Sequence, residues 1–226
     1  MKDLKTAIVI FAHSAEYEAT LKPFQYSKEV FESLNQRTLD LVKKTNLPYF
    51  VFTEKEQIGT TFGERFTNAL TSVYDLNFDS LIVIGNDTPN LTLNQLAKAK
   101  TKLAKNEIVL GSSIDGGFYL LGIKKEHFNK ELFLKLPWQS QKLNASLSKL
   151  FKVTTTKVFY LKKLIDIDSI DDIKKLINSF KKVYDDLFKI LVLFIKLNKR
   201  ILFDFLKNIL LLFQSKTYNK GSPISI

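Results

Sequence analysis

Short apolar runs recur along the first 125 residues, separated by stretches in which apolar side chains return every three or four positions. The runs are "TAIVIFA" (6–12), "PYFVFT" (48–53), "SLIVIG" (80–85), "EIVLGSS" (107–113) and "FYLLGI" (118–123), short and partly β-branched or aromatic. Each reads as a strand, with Pro48 at a position that a strand start tolerates. Residues 28–45 place Val30, Phe31, Leu34, Leu41 and Val42 on one side of a helix, and 63–75 read as a second helix. Thr92 and Gln95 form a T-x-x-Q capping pattern that opens a third helix, reaching to about Lys105. Strands alternating with helices need crossover connections. The expected fold is therefore α/β, with a mostly parallel sheet covered on both faces.

Past residue 124 the pattern is less regular. "LPWQSQ" (136–141) reads as a loop, "KVFYL" (157–161) as a further strand, and "IDIDSIDDIKKLI" (165–177) as a strand end entering a helix capped by Ser169 and Asp172. Ligands of parallel α/β sheets sit outside the carboxyl ends of the strands. "GNDTP" (85–89) lies at one such end and "SSIDGG" (112–117) at another, so Asp87 and Asp115 are expected on one rim.

Two carboxylates on that rim suit Mg²⁺ or Mn²⁺, which take oxygen ligands and leave room for substrate phosphates. Asp-Thr-Pro and Asp-Gly are equally ordinary turn sequences. In "QIGTTFGERF" (57–66), Gly59 and Gly63 flank a polar loop entering a helix, where backbone N–H groups are able to meet an anion. Glu64 and Arg65 there also fit a charge pair on a solvated helix face. His13 closes the first strand, as a ligand, a base or a hydrogen-bonded structural residue, whereas His127 reads as a surface helix residue. Trp138, the single tryptophan, offers a face for a sugar or base, or fills the core.

Composition narrows this picture. A length of 226 residues with 45% hydrophobic content supports one sizeable core. The absence of cysteine excludes disulfides, thiolate metal sites and a Cys nucleophile. The N-terminal "MKDLKTAIVIFAHS" has too short an apolar stretch for a secretory signal, which leads to the expectation of a cytoplasmic protein. Of the net charge of +11, residues 181–226 carry +6, from nine Lys/Arg and three Asp.

Together, "QIGTTFGERFTNAL", "LIVIGNDTPNLT" and "IVLGSSIDGGFYLLGI", in that order, resemble the glycosyltransferase-A-like family long filed as a domain of unknown function. Its pattern runs Q-x-G-x-x-x-G-E-R, I-G-S-D-x-P-x-L-T and L-G-P-x-x-D-G-G-Y-Y-L-I-G. Gln57, Gly59, Gly63, Glu64 and Arg65 match the first string, and Gly85, Asp87, Pro89, Leu91 and Thr92 the second. Gly111, Asp115, Gly116, Gly117, Tyr119, Leu120 and Gly122 match the third, and the likeness spans roughly residues 5–178.

The resemblance implies a three-layer sandwich of the GT-A, nucleotide-diphospho-sugar transferase type. It implies Mg²⁺ or Mn²⁺ at Asp87, with Asp115 as second ligand or donor-sugar contact, and these two as the catalytic pair. Gln57, Gly59, Gly63, Arg65, Gly116, Gly117 and Trp138 are the implied donor-binding residues. The implied reaction is metal-dependent glycosyl transfer, of a hexosyl or related sugar, from a nucleotide-diphospho-sugar. One departure bears on it: the family's Pro/Gly-rich loop ending in Lys-Thr-Arg-Leu is replaced by "HSAEYEATLKPFQYS" (13–27), where Lys22 is the candidate phosphate cation. That change keeps two alternatives open, a catalytically silent nucleotide-sugar-binding or scaffold protein and, second, a nucleotidyltransferase.

Residues 186–213 lie outside the resemblance. On a helix, Lys189, Lys196, Arg200, Asp204 and Lys207 form one stripe beside a broad apolar face, and no uncharged run approaches the roughly 20 residues of a membrane span. The expected organisation is a GT-A-like domain over 1–180 and a basic amphipathic helical tail over 181–226. The tail reads as packing, as a homodimer contact, or as peripheral contact with the inner membrane face. Nucleic acid is not expected, because the stripe holds few cations and no interleaved exposed aromatics.

Overall fold

The computed structural model describes residues 4–179 apart from 25, 106, 154 and 155. The tail readings for 186–213 therefore lie outside the described residues. Strands β1 (Thr6–Phe11), β2 (Tyr49–Phe52), β3 (Ser80–Ile84), β4 (Ile108–Ser112), β5 (Phe118–Lys124) and β6 (Val158–Tyr160) form one sheet in the order β2-β1-β3-β5-β4-β6. β1 pairs in parallel with β2 and β3, and β4 with β6, while β5 runs antiparallel between β3 and β4. The sheet is mostly parallel, as expected, but the orientation of β5 is not visible in its apolar run.

β1 and β3 are buried along their whole length, because helices cover both faces. Ala7, Val9, Leu81, Val83, Leu110 and Leu121 face a layer built from α3 (Phe62–Asp75), α5 (Lys130–Leu134) and α6 (Leu143–Val153). Ile8, Ile10, Ile82, Ile84 and Val109 face the opposite layer, from α2 (Ser27–Lys43) and α4 (Leu93–Ala104). Alternate residues of one strand thus serve two cores. Capping boxes open both α3, through Thr61 and Glu64, and α4, through Thr92 and Gln95.

The stretch read as an altered loop after the first strand contains a helix, α1 (Ala15–Leu21). Ser14 caps it, accepting from the Tyr17 N–H at 3.2 Å, and Glu16 and Glu18 in its first turn complement the helix dipole. Seven residues are too few to show a clear apolar period, so the caps are the only legible signal. His127 also departs from expectation: it sits in a single 3-10 turn (Lys125–His127), with its ring largely buried.

The chain divides into two compact units, Met1–Asp168 and Ser169–Ile226. In the second, the described element is α7 (Ile170–Ser179). The Ser169 hydroxyl accepts from the Asp172 N–H at 3.4 Å and lies 2.7 Å from its carboxylate, as expected of these two cap residues. Among the described residues no helix is long and apolar enough to cross a membrane.

Gly111 is fixed by packing. A Cβ there would lie 2.5 Å from the ring of Tyr119, and that ring cannot swing away. Its hydroxyl donates to the Lys162 carbonyl at 2.7 Å and accepts from the Gln95 amide at 3.0 Å. Gly111→Ala is expected to destabilise the protein by about 1–3 kcal/mol through overpacking, lowering the melting temperature by several degrees in a thermal melt.

Candidate functional site

The carboxyl ends of β3 and β4 form the rim on which the sequence places Asp87 and Asp115, and β1 lies in parallel beside β3. β3 runs into Gly85, Asn86 and Asp87. Asn86 is buried and donates to Asn35 Oδ1 at 2.6 Å, which ties the β3 exit to α2. The Asp87 carbonyl accepts from the Ile167 N–H at 2.8 Å, so the stretch 166–168 runs alongside this rim.

The Asp87 carboxylate meets Lys22, just past the end of α1. Lys22 Nζ lies 3.0 Å from Asp87 Oδ2, 2.8 Å from Asp168 Oδ1 and 3.7 Å from Glu18 Oε2. It also donates to the Ile167 carbonyl at 3.2 Å and lies over the buried ring of Phe31. Burial alone would lower the pKa of this ammonium. The charges of Asp87, Glu18 and Asp168 outweigh that effect and hold it well above the usual lysine range.

Asp166 stands beside this group. Burial and then the charge of Asp87 push its carboxyl up to about 7, against the hydroxyls of Ser113 and Thr88, with Asp115 adding a smaller push in the same direction. Thr88 Oγ1 donates to Asp166 Oδ1 at 2.5 Å. Asp87 and Asp115 are thus both within electrostatic reach of Asp166. Asp115 itself is exposed, and its Oδ1 accepts from the Gly117 N–H at 3.0 Å, closing the Asp-Gly-Gly turn.

Other candidates have structural partners. The Gln57 amide donates to the Ala12 carbonyl at 2.8 Å and the Phe52 carbonyl at 3.1 Å, joining the ends of β1 and β2. Arg65 donates to Gln57 and to the Thr60 carbonyl. The Glu64 carboxylate accepts from the Thr60 hydroxyl and from the N–H groups of Thr61 and Thr60, which lowers its pKa to about 2. Those N–H groups are the ones the sequence offered to an anion. Trp138 donates to the Phe133 carbonyl at 2.7 Å and packs against Phe62, Phe66 and Phe118.

A cavity of about 400 Å³ opens beside the same rim, lined by Ile10, Ala12, His13, Asn35, Thr53 and Asn86 among others. His13 Nδ1 lies 3.4 Å from Glu18 Oε1, so the cavity wall connects through Glu18 to the Lys22 ammonium.

Residues 26–140 match the model of a family described as an uncharacterized protein conserved in bacteria, DUF2064. The chain belongs to that family. No curated protein is matched in sequence. A proposed nucleotide-diphospho-sugar transferase from Desulfovibrio desulfuricans G20 superimposes with a TM-score of 0.73 at 18% identity, covering 88% of this chain and 98% of its own. The 4-diphosphocytidyl-2C-methyl-D-erythritol synthase of Anaerococcus prevotii DSM 20548 gives 0.50 at 13% identity, over 77% of this chain and 97% of its own. A Mycobacterium tuberculosis H37Rv protein in complex with manganese gives 0.47 at 14%, over 78% and 100%. The fold of this DUF2064 member is of the nucleotide-diphospho-sugar transferase type.

Gly63 leaves room for Trp138, whose indole a Cβ would meet at 2.5 Å. Gly116 has a φ of +102°, which L side chains rarely adopt. Asp166 and Asp168 were not among the sequence candidates. Their signal was the D-x-D of "IDIDS", read there only as the entry to a helix.

The donor set suits a hard divalent cation, being all carboxylate oxygen with a surplus of negative charge that one ammonium does not neutralise. Among the described residues no three carboxylate or imidazole groups form a ready coordination sphere. One Asp87 oxygen is held by Lys22 instead.

The raised pKa of Asp166 makes stability pH-dependent. The folded protein keeps this proton above the unfolded value of 3.8, so its contribution to stability falls as pH rises from about 4 to about 7 and is flat above that. Asp166→Asn should therefore gain on the wild type over that window and exceed it by up to about 4 kcal/mol at pH 8, measured by thermal melts in EDTA.

Proposed function

We propose that this protein is a glycosyltransferase that binds a nucleotide-diphospho-sugar at the rim formed by Asp87, Asp115 and Asp166. The observation that carries the reading is that Asp87 and Asp115, which follow the ends of β3 and β4, both raise the Asp166 carboxyl, while the Ile167 N–H binds the Asp87 carbonyl at 2.8 Å, on the side where sheets of this kind take their ligands. Asp87 and Asp115 would hold Mg²⁺ or Mn²⁺, which when bound supplies Lewis-acid neutralisation of a leaving diphosphate. The cavity lined by His13, Asn35 and Asn86 has amide and imidazole groups suited to a nucleoside, and it adjoins the carboxylate rim.

In the proposed transfer, the rim positions an acceptor hydroxyl against the anomeric carbon. A carbon–oxygen bond to the acceptor forms as the bond to the diphosphate oxygen breaks, and the nucleoside diphosphate leaves. The hydroxyl proton passes to a rim carboxylate. Asp166, pushed up to about 7, is the group closest to neutrality for that role.

Specific contacts favour a second reading, a non-catalytic nucleotide-sugar-binding or scaffold protein. Glu64 fills the N–H groups of the 57–66 loop, and Lys22 occupies an oxygen of Asp87. A nucleotidyltransferase is supported less, because the cation after β1 is the single Lys22, already surrounded by acids.

Thermal melts with a panel of nucleoside diphosphates and their sugar conjugates separate these readings. At about 100-fold excess over Kd, ligand binding stabilises by about 2.7 kcal/mol, or roughly 5–10 °C for a chain of this size. The glycosyltransferase reading expects such a rise with Mn²⁺ and a loss of it in Asp87→Asn. A rise without Mn²⁺ and without sugar transfer would favour the binding-protein reading, and no rise with any nucleotide would discard both enzyme readings.

A further inference from the structure

Three oxygens lie within 3.2 Å of Lys22 Nζ, from Asp87, Asp168 and the Ile167 carbonyl, with a fourth from Glu18 at 3.7 Å. An all-oxygen nest of this kind is what a small hard cation seeks. Here the cation is tethered to the chain. The site proposed above also requires Asp87 to face a divalent ion, and two cations cannot share one carboxylate oxygen at contact distance without strong repulsion.

We propose that the Lys22 ammonium and the divalent cation compete for Asp87, so that Lys22 closes the carboxylate rim until an ion displaces it. This rests on the nucleotide-diphospho-sugar reading of the rim. The ammonium has other holds, at Asp168, Ile167 and Glu18, so it can leave Asp87 without losing every partner. Displaced from Asp87 but still held at Asp168 and Glu18, it remains a cation beside the rim, placed to meet the anionic diphosphate that arrives with the metal. One residue then serves two states: it neutralises carboxylates in the empty site and phosphate in the filled one. Lys28 does not take this part, since its ammonium is paired with Glu16 at 3.0 Å on the exposed side.

Competition of this kind is a coupling between two cations, for which effects of about 5- to 150-fold are typical. Mn²⁺ binding to the full chain, followed by the loss of the free-ion paramagnetic resonance signal, reads it directly. Lys22→Gln and Lys22→Met are expected to bind Mn²⁺ about tenfold more tightly than the wild type. Lys22→Arg, which keeps the cation, should stay near the wild type, and adding Asp87→Asn to Lys22→Gln should abolish the gain. Equal or weaker Mn²⁺ binding in folded Lys22→Gln and Lys22→Met overturns the competition while leaving the site reading intact. Absence of Mn²⁺ binding in every variant overturns both. If the neutral variants do not fold, a Mn²⁺-soaked wild-type crystal decides the matter. Lys22 withdrawn from Asp87 beside a bound ion supports competition, and an ion on Asp87 with Lys22 still at 3.0 Å refutes it.

Discussion

A single ammonium draws together carboxylates from three distant parts of the chain, Glu18, Asp87 and Asp168. Buried charges are tolerated only when paired and hydrogen-bonded, so Lys22 and Glu18 cannot be placed independently of their partners, while Asp168 meets the ammonium from the exposed side. α1 must end where Lys22 reaches the rim, β3 must release the chain three residues before Asp87, and the 166–168 stretch must return alongside it. The sheet makes this possible. β1 and β3 are adjacent and parallel, so the segments leaving their carboxyl ends emerge on the same side. The Asn86–Asn35 bond and the Ile167–Asp87 backbone bond then fix the loop between them.

The electrostatics that hold the rim also make it unstable to change. One lysine faces several acids, and the excess shows in Asp166, which is pushed toward neutrality by burial and by Asp87. A site under such strain is relieved by added positive charge, whether a proton, a tethered ammonium or a metal ion. Sites with this property are common where ligands bind and where protons move. The cavity by His13 lies one contact away from the Lys22 ammonium, through Glu18.

Much of the fold could be read from the chain. All six strands coincide with short apolar runs, and the α4 start is marked by Thr92 and Gln95, because both signals act within a few residues. The antiparallel β5 could not be read, since strand direction depends on pairing partners and not on composition. α1 and α5 are too short for periodicity, with Ser14 and Asn129 as their local markers. The candidate site is legible in the same uneven way. Asp87 and Asp115 stood out because they come directly after strands, whereas Asp166, Asp168 and Glu18 join the rim only through tertiary contacts. The side chains of Gln57, Arg65 and Trp138, also candidates from the sequence, make contacts that hold strand ends and helix α3 in place.

Everything proposed for this protein requires the Asp87 rim to be where a nucleotide-diphospho-sugar and its cation bind. Anomalous diffraction at the manganese edge, from crystals grown with Mn²⁺ and a nucleoside diphosphate, tests that most directly. The expected result is one strong peak against the Asp87 carboxylate, with the diphosphate beside it and the nucleoside toward His13. A peak elsewhere, or nucleotide bound away from Asp87, would contradict it.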